Sequence, residues 1–256
     1  MRTVMKSGKH VWLAGMILMC GVVNGASSGG PVVVELFESQ GCSSCPPSER
    51  VMSRLKQEFG ESVLLLTFHV DYWDYLGWKD AFSDPRNTER QKMYGRAFAQ
   101  DSIYTPEMVI GGESGFNGSD LGQAQQEIRE RLSSERPLLQ VSLSPKTSHV
   151  GILSVHLPKE LASGAREMLA VMIEDAQAVQ VLRGENRGVT MSGQFAVRSI
   201  VMMPAPSNGL SRVRLTLPSD ANSDRVHVAV LVRGDSSKIL SAASVPWTAE
   251  ESKLHS

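Results

Sequence analysis

The feature that most limits what this chain can fold into is a pair of cysteines set between a buried strand and a helix. Pro31 to Phe37 (PVVVELF) is an unbroken apolar run, the pattern of a strand covered on both faces. Glu38 to Gly41 make a turn, and Cys42-Ser43-Ser44-Cys45-Pro46-Pro47 then opens a helix reaching about Phe59. Proline is accommodated in a first helical turn, where its missing N–H would have no partner, and Val51, Leu55 and Phe59 recur at helical spacing. Val63 to Val70 (VLLLTFHV) reads as a second buried strand. Strand, helix, strand in that order predicts a right-handed parallel crossover, with both cysteines at or within the first turn of its helix.

Two cysteines spaced Cys-x-x-Cys at a helix start suit thiol–disulfide exchange, as in an oxidoreductase or isomerase-like protein. Unpaired N–H groups and the positive end of the helix dipole favour thiolate over thiol there. Cys42 is the expected nucleophile, forming a mixed disulfide that Cys45 resolves, and the hydroxyls of Ser43 and Ser44 are candidates to tune the pair. Two other readings stay open: an inert local disulfide in a noncatalytic binding module, and a copper or zinc metallochaperone in which His69 joins the two thiolates. His69, Asp71 and Asp74 stand close in sequence as a relay or groove, although a histidine inside an apolar strand is more often a core residue. Tyr72, Trp73, Tyr75 and Trp78 suit either a peptide groove or a packed interface. Glu185-Asn186-Arg187-Gly188 reads as a solvated turn, with docking against the first half as the sharper alternative.

The setting expected for this chemistry is outside the cytoplasm. Arg2, Lys6 and Lys9 precede an apolar run from Val11 to Val23 and the small residues Asn24-Gly25-Ala26, which is the pattern of a secretory leader over residues 1–26. That run is too short to span a bilayer comfortably, so no membrane span is expected after cleavage. Met19 ahead of Cys20 argues against a lipidation site. Removing the leader leaves Cys42 and Cys45 as the cysteines of the mature chain, able to bridge only to each other. The formal net charge of −1 becomes about −4 without the three leader cations, so no basic field draws nucleic acid. No organic cofactor is implied either, because no glycine-rich phosphate cradle follows a strand; Gly111-Gly112 lacks the remaining glycines.

The pattern changes near Glu135 to Pro137. Ahead of it, apolar strands alternate with helical stretches, among them a helix near Thr88 to Ala99 and another over Ser119 to Leu132 with Ser119 as its N-cap. Behind it, LQVSL (139 to 143), VQVLR (179 to 183), RVRLTL (212 to 217) and VHVAVLV (226 to 232) alternate as half-buried strands do. The expected architecture is an α/β domain over residues 31–134 followed by an all-β, sandwich-like domain over residues 137–248.

LFESQGCSSCPPSE, FHVDYWDYLGWKD, YTPEMVIGG, RGENRG and VAVLVRGDSSKILSAA together resemble an uncharacterised family of secreted bacterial thioredoxin-like proteins carrying a domain of unknown function. The resemblance covers nearly the whole mature chain. It implies a thioredoxin-like first domain, with Thr105-Pro106 as a cis-proline loop facing the cysteines and pairing with an extended substrate. Protein or peptide thiols and disulfides are the implied partners. Glu35, on the strand before the motif, stands where thioredoxins carry a buried acid and is a candidate proton relay. The chain departs from ordinary thioredoxins in its Ser43-Ser44 dipeptide, in having no tryptophan before Cys42, and in the long segment 71–100.

Overall fold

The computed structural model describes residues 29–206 and 209–248. The expected leader, residues 1–26, lies outside them. Strand β1 (Val32–Glu38) is buried at every position, as its apolar run requires. Helix α1 (Pro46–Phe59) begins with its two prolines in the first turn and turns Ser48, Val51, Met52 and Leu55 inward. Its N-cap is Cys45, so Cys42 lies one turn ahead of the helix rather than inside it. Strand β2 (Val63–His69) pairs parallel with β1 from Val32↔Val63 to Glu38↔His69.

Helix α2 (Pro85–Ala97) starts at Asp84, whose carboxylate accepts the Arg86 backbone N–H. Strand β3 (Glu107–Ile110) runs antiparallel to β1, β4 (Ser114–Asn117) folds back on β3, and α3 (Leu121–Leu132) follows. Asp120 caps α3 by accepting the Gln123 N–H, one residue beyond the serine expected for that role. The twofold alternation of β1 sorts its two faces. Val32, Val34 and Leu36 pack with Val51, Met52 and Leu55 of α1 and with Ala124 and Ile128 of α3. Val33 and Phe37 pack on the opposite face with Tyr94 of α2.

The second half supplies β5 (Gln140–Pro145), β6 (Val150–His156), the short helix α4 (Lys159–Ala162), the long hairpin β7 (Glu167–Gln180) and β8 (Thr190–Pro204), then β9 (Leu210–Thr216), β10 (Val226–Arg233) and β11 (Ile239–Pro246). Strands β5, β6 and β9 form a three-stranded sheet. It packs Leu153, Val155 and Leu215 against Met168, Ala170, Met172, Val228 and Val230 of the larger sheet. Trp247 fills the end of this layer, donating its indole N–H to the Ser148 carbonyl at 2.9 Å.

The change of pattern near residue 136 is not a break in the sheet. One eight-stranded mixed sheet runs β11-β10-β7-β8-β2-β1-β3-β4 through both halves. The joint is narrow: β8 meets β2 in parallel at Thr67↔Ala196. A second seam lies at the turn after β3, where Gly111 and Gly112 adopt φ of 63° and 69°. There Ile239 N–H donates to the Gly111 carbonyl at 2.8 Å and the Ser237 hydroxyl donates to the Gly112 carbonyl at 2.6 Å.

Register shifts interrupt β7–β8 between Met172 and Ile173, between Glu174 and Ala176, and between Ala176 and Val179. Bulges of this kind bend a hairpin and re-aim its far end. Beyond them, residues 181–189 lie against the turn that precedes α1.

Candidate functional site

Cys42 and Cys45 form a disulfide, with Cα atoms 5.4 Å apart. The local backbone explains the placement: Cys42 N–H donates to the Ser39 carbonyl and Cys45 N–H to the Cys42 carbonyl, a turn that delivers the chain into α1. Ser44 Oγ stands 3.3 Å from Cys42 Sγ and donates to the Thr105 carbonyl at 3.4 Å. The Thr105–Pro106 peptide is cis. Trp73 donates its indole N–H to Thr105 Oγ1 at 2.8 Å, and Trp78 donates to Gln40 Oε1 at 3.0 Å. Both tryptophans pack against the cysteines. Trp73 and Trp78 thus pack against a cluster that joins the cysteines of the first half to Val181 and Met191 of the second. Tyr72 instead donates to Gln91 at 3.1 Å, and Tyr75 is 80% exposed.

Glu35 is turned away from the disulfide. Its carboxylate accepts from Arg90 Nε at 2.7 Å and from the Tyr94 hydroxyl, on the α2 face of the sheet. Because β1 alternates, the carboxyl on the side of the disulfide is Glu38. Ser48 connects the two: its hydroxyl donates to the Cys45 carbonyl at 2.6 Å and lies 3.4 Å from Glu38 Oε2. His69 Nδ1 lies 2.8 Å from Asp80 Oδ2, and its Nε2 faces Glu38 Oε1 at 3.9 Å, all three side chains being buried. Asp71 is held apart from this group, accepting from the Thr88 hydroxyl.

Burial dominates the protonation of this buried group. It pushes the Glu38 carboxyl up to about 8 although the neighbouring His69 charge opposes the rise. It likewise pushes Glu49 up to about 7 despite the hydrogen bond from the Ser192 N–H. For His69 burial acts downward, but the Asp80 carboxylate and its hydrogen bond outweigh it and hold the ring up at about 9. Burial would raise Asp80, and the His69 charge beside it draws it below the usual range. At neutral pH the group is thus a protonated Glu38 beside a His69⁺–Asp80⁻ pair.

The disulfide is roofed by the hairpin tip from the other half of the chain. Asn186, 4% exposed, donates its amide to the Gln40 carbonyl at 3.0 Å and to the Cys42 carbonyl at 2.7 Å. Glu185 accepts from the Ser43 N–H at 3.2 Å and from the Ser43 hydroxyl at 2.7 Å. Val181 and Met191 complete an apolar shell with the cysteines, and both cysteines have 0% exposure. Glu49 of α1 accepts the Ser192 N–H at 3.1 Å, fastening the base of the tip. Of the segment Glu185 to Gly188, Glu185 and Asn186 are therefore docked on the first half, while Arg187 and Gly188 are exposed.

Among the described residues no group of three or more histidine, cysteine or acidic side chains is arranged to hold a metal ion. The cysteines bond to each other and His69 to Asp80. No helix among the described residues is long and apolar enough to cross a membrane.

Residues 33–233 match the family described as "Protein of unknown function (DUF1223)". The chain belongs to this family. A crystal structure of an Agrobacterium tumefaciens protein, 25% identical, is similar over 90% of this chain and 100% of that one with a TM-score of 0.65. A domain of the outer membrane lipoprotein Omp28 from Porphyromonas gingivalis is 13% identical over 42% of this chain and 84% of that one, with a TM-score of 0.24 that carries no argument. No curated protein matches the chain. The matched residues include both cysteines and the hairpin tip.

Proposed function

We propose that this chain is an exported thiol–disulfide oxidoreductase, built as a thioredoxin-like domain with a sandwich-like β domain joined to it, and that it acts on protein or peptide thiols and disulfides. The observation that carries the reading is the Cys42–Cys45 disulfide at the start of α1 with the Thr105 carbonyl beside it. The parallel β1–α1–β2 unit, the antiparallel β3–β4 pair and α3 favour the fold assignment. As oxidant, the disulfide receives a substrate thiolate on Cys42 Sγ; the Cys42–Cys45 bond breaks and Cys45 leaves as thiolate. A second substrate thiolate then attacks the substrate sulfur of the mixed disulfide and releases Cys42. Two electrons pass to the cysteine pair, the two substrate thiol protons end on Cys42 and Cys45, and the substrate leaves as a disulfide. The reduced pair runs the same steps backwards.

A second reading, a noncatalytic module with a structural disulfide, is favoured by one observation: both cysteines have 0% exposure. Trapping separates the two. The Cys45→Ser variant, mixed with a disulfide-bonded peptide, is expected to accumulate a mixed disulfide on Cys42. Absence of that adduct after hours with excess peptide contradicts exchange and leaves the structural reading.

A further inference from the structure

We propose, resting on the exchange reading, that the β7–β8 hairpin tip is a redox-linked cap: it closes over the oxidised Cys42–Cys45 pair and lets go when the pair is reduced. Occlusion is the first ground. With both cysteines at 0% exposure and Val181 and Met191 of the tip packed in their cluster, no protein thiol reaches Cys42 Sγ while the tip is closed. Turnover by thiol–disulfide exchange therefore includes a step in which the tip lifts.

The way the tip is held makes lifting feasible. Its outer surface is exposed, with Leu182 at 61% and Val189 at 38%. It is held on the first half by the two amide bonds of Asn186, the two bonds to Glu185, the bonds from Ser192 to Glu49 and from Ser53 to Gln194, and the packing of Val181 and Met191 in the cysteine cluster. A segment held by a few directional bonds and two buried apolar side chains opens at lower cost than a sheet core.

Redox state enters through Glu185. Its carboxylate takes the N–H of Ser43, the residue next to Cys42 and among the donors that would otherwise stabilise a Cys42 thiolate. Above a disulfide, which is neutral, the carboxylate is attracted to this N–H and hydroxyl. Above a thiolate it faces a like charge and competes for the same donor. The closed tip thus binds the oxidised form better than the reduced form, and by reciprocity reduction releases the tip while closure favours oxidation.

The test uses purified mature protein. Amide hydrogen exchange at Ser43 and Ser192, whose N–H groups bridge tip and first half, reports closure. Both amides are expected to exchange faster in the reduced than in the oxidised wild type. Glu185→Gln keeps an acceptor but removes the charge, so it should shrink that difference. Asn186→Ala removes two bonds to buried carbonyls, and reduction by dithiothreitol should run roughly tenfold faster than in wild type. Equal exchange in both redox states, or Asn186→Ala reduced at the wild-type rate, overturns the cap. If those results come with ready formation of a Cys42 mixed disulfide, the exchange reading stands without the cap. If the tip opens on reduction yet Cys42 is never trapped, the exchange reading fails instead.

Discussion

Replacing Arg90 by methionine tests how the sheet tolerates a buried carboxylate in the half of the chain that carries the cysteines. Arg90 is 6% exposed and Glu35 0%, and the guanidinium reaches Glu35 Oε1 at 2.7 Å and the Tyr94 hydroxyl at 3.0 Å. It also lies over the rings of Phe68 and Tyr94, at 5.4 Å and 5.2 Å from their centroids. Methionine keeps the length and the packing but leaves the Glu35 carboxylate with the Tyr94 hydroxyl alone among apolar neighbours. Removing one partner of a buried pair costs about 3–5 kcal/mol, a large share of the ~5–15 kcal/mol that holds a domain folded. Urea unfolding followed by tryptophan fluorescence, extrapolated linearly to water, measures this. The double variant Glu35→Gln/Arg90→Met removes the stranded charge and should return most of the loss. Placed in the Cys45→Ser background, it should give the same Cys42 mixed-disulfide yield as Cys45→Ser alone, since Glu35 faces away from the cysteines. A single variant within about 1 kcal/mol of wild type would refute the reasoning, because such a value belongs to a solvated pair.

Stability should fall as pH rises. Glu38 is lifted from 4.5 to about 8, Glu49 from 4.5 to about 7 and His69 from 6.5 to about 9, so between these limits the folded chain binds more protons than the unfolded one. The contribution is complete below the unfolded values and lost through the folded ones; the lowered Asp80 acts the opposite way, and only as pH falls below its ordinary 3.8. Tm is thus expected to be higher at about pH 5 than at about pH 9, with Glu38→Gln flattening the slope. Trp247→Ala empties the end of the layer between the sheets and should cost ~3–5 kcal/mol in the same urea assay. Gly112→Ala would set a Cβ 2.1 Å from the Ser237 carbonyl oxygen at a φ of 69°, and should cost roughly 1–3 kcal/mol from the backbone alone. A Tm unchanged from wild type would count against that seam.

The first half was legible because its signals are local. Apolar runs bounded by turn residues mark β1 and β2, and the Cys-x-x-Cys-Pro-Pro sequence marks the start of α1 within a few residues. The site was only half legible. Glu35 and Glu38 both lie on a strand buried at every position, so apolar content could not tell which carboxyl shares a face with α1. The hairpin was harder still. VQVLR reads as one strand, yet β7 ends at Gln180 and the chain then leaves the ladder to roof the disulfide. Three bulges and contacts more than 140 residues apart in sequence, such as Asn186 to Cys42, set that position, and no local period encodes them.

Exchange chemistry is tested most directly by the reduction potential of Cys42–Cys45, measured on mature protein equilibrated in dithiol redox buffers with Cys42→Ser/Cys45→Ser as the blank. A potential well above about −300 mV is predicted, in the range where pairs exchange with cellular dithiols. A pair that stays oxidised to potentials below that value would mark a structural bridge and contradict the proposed function.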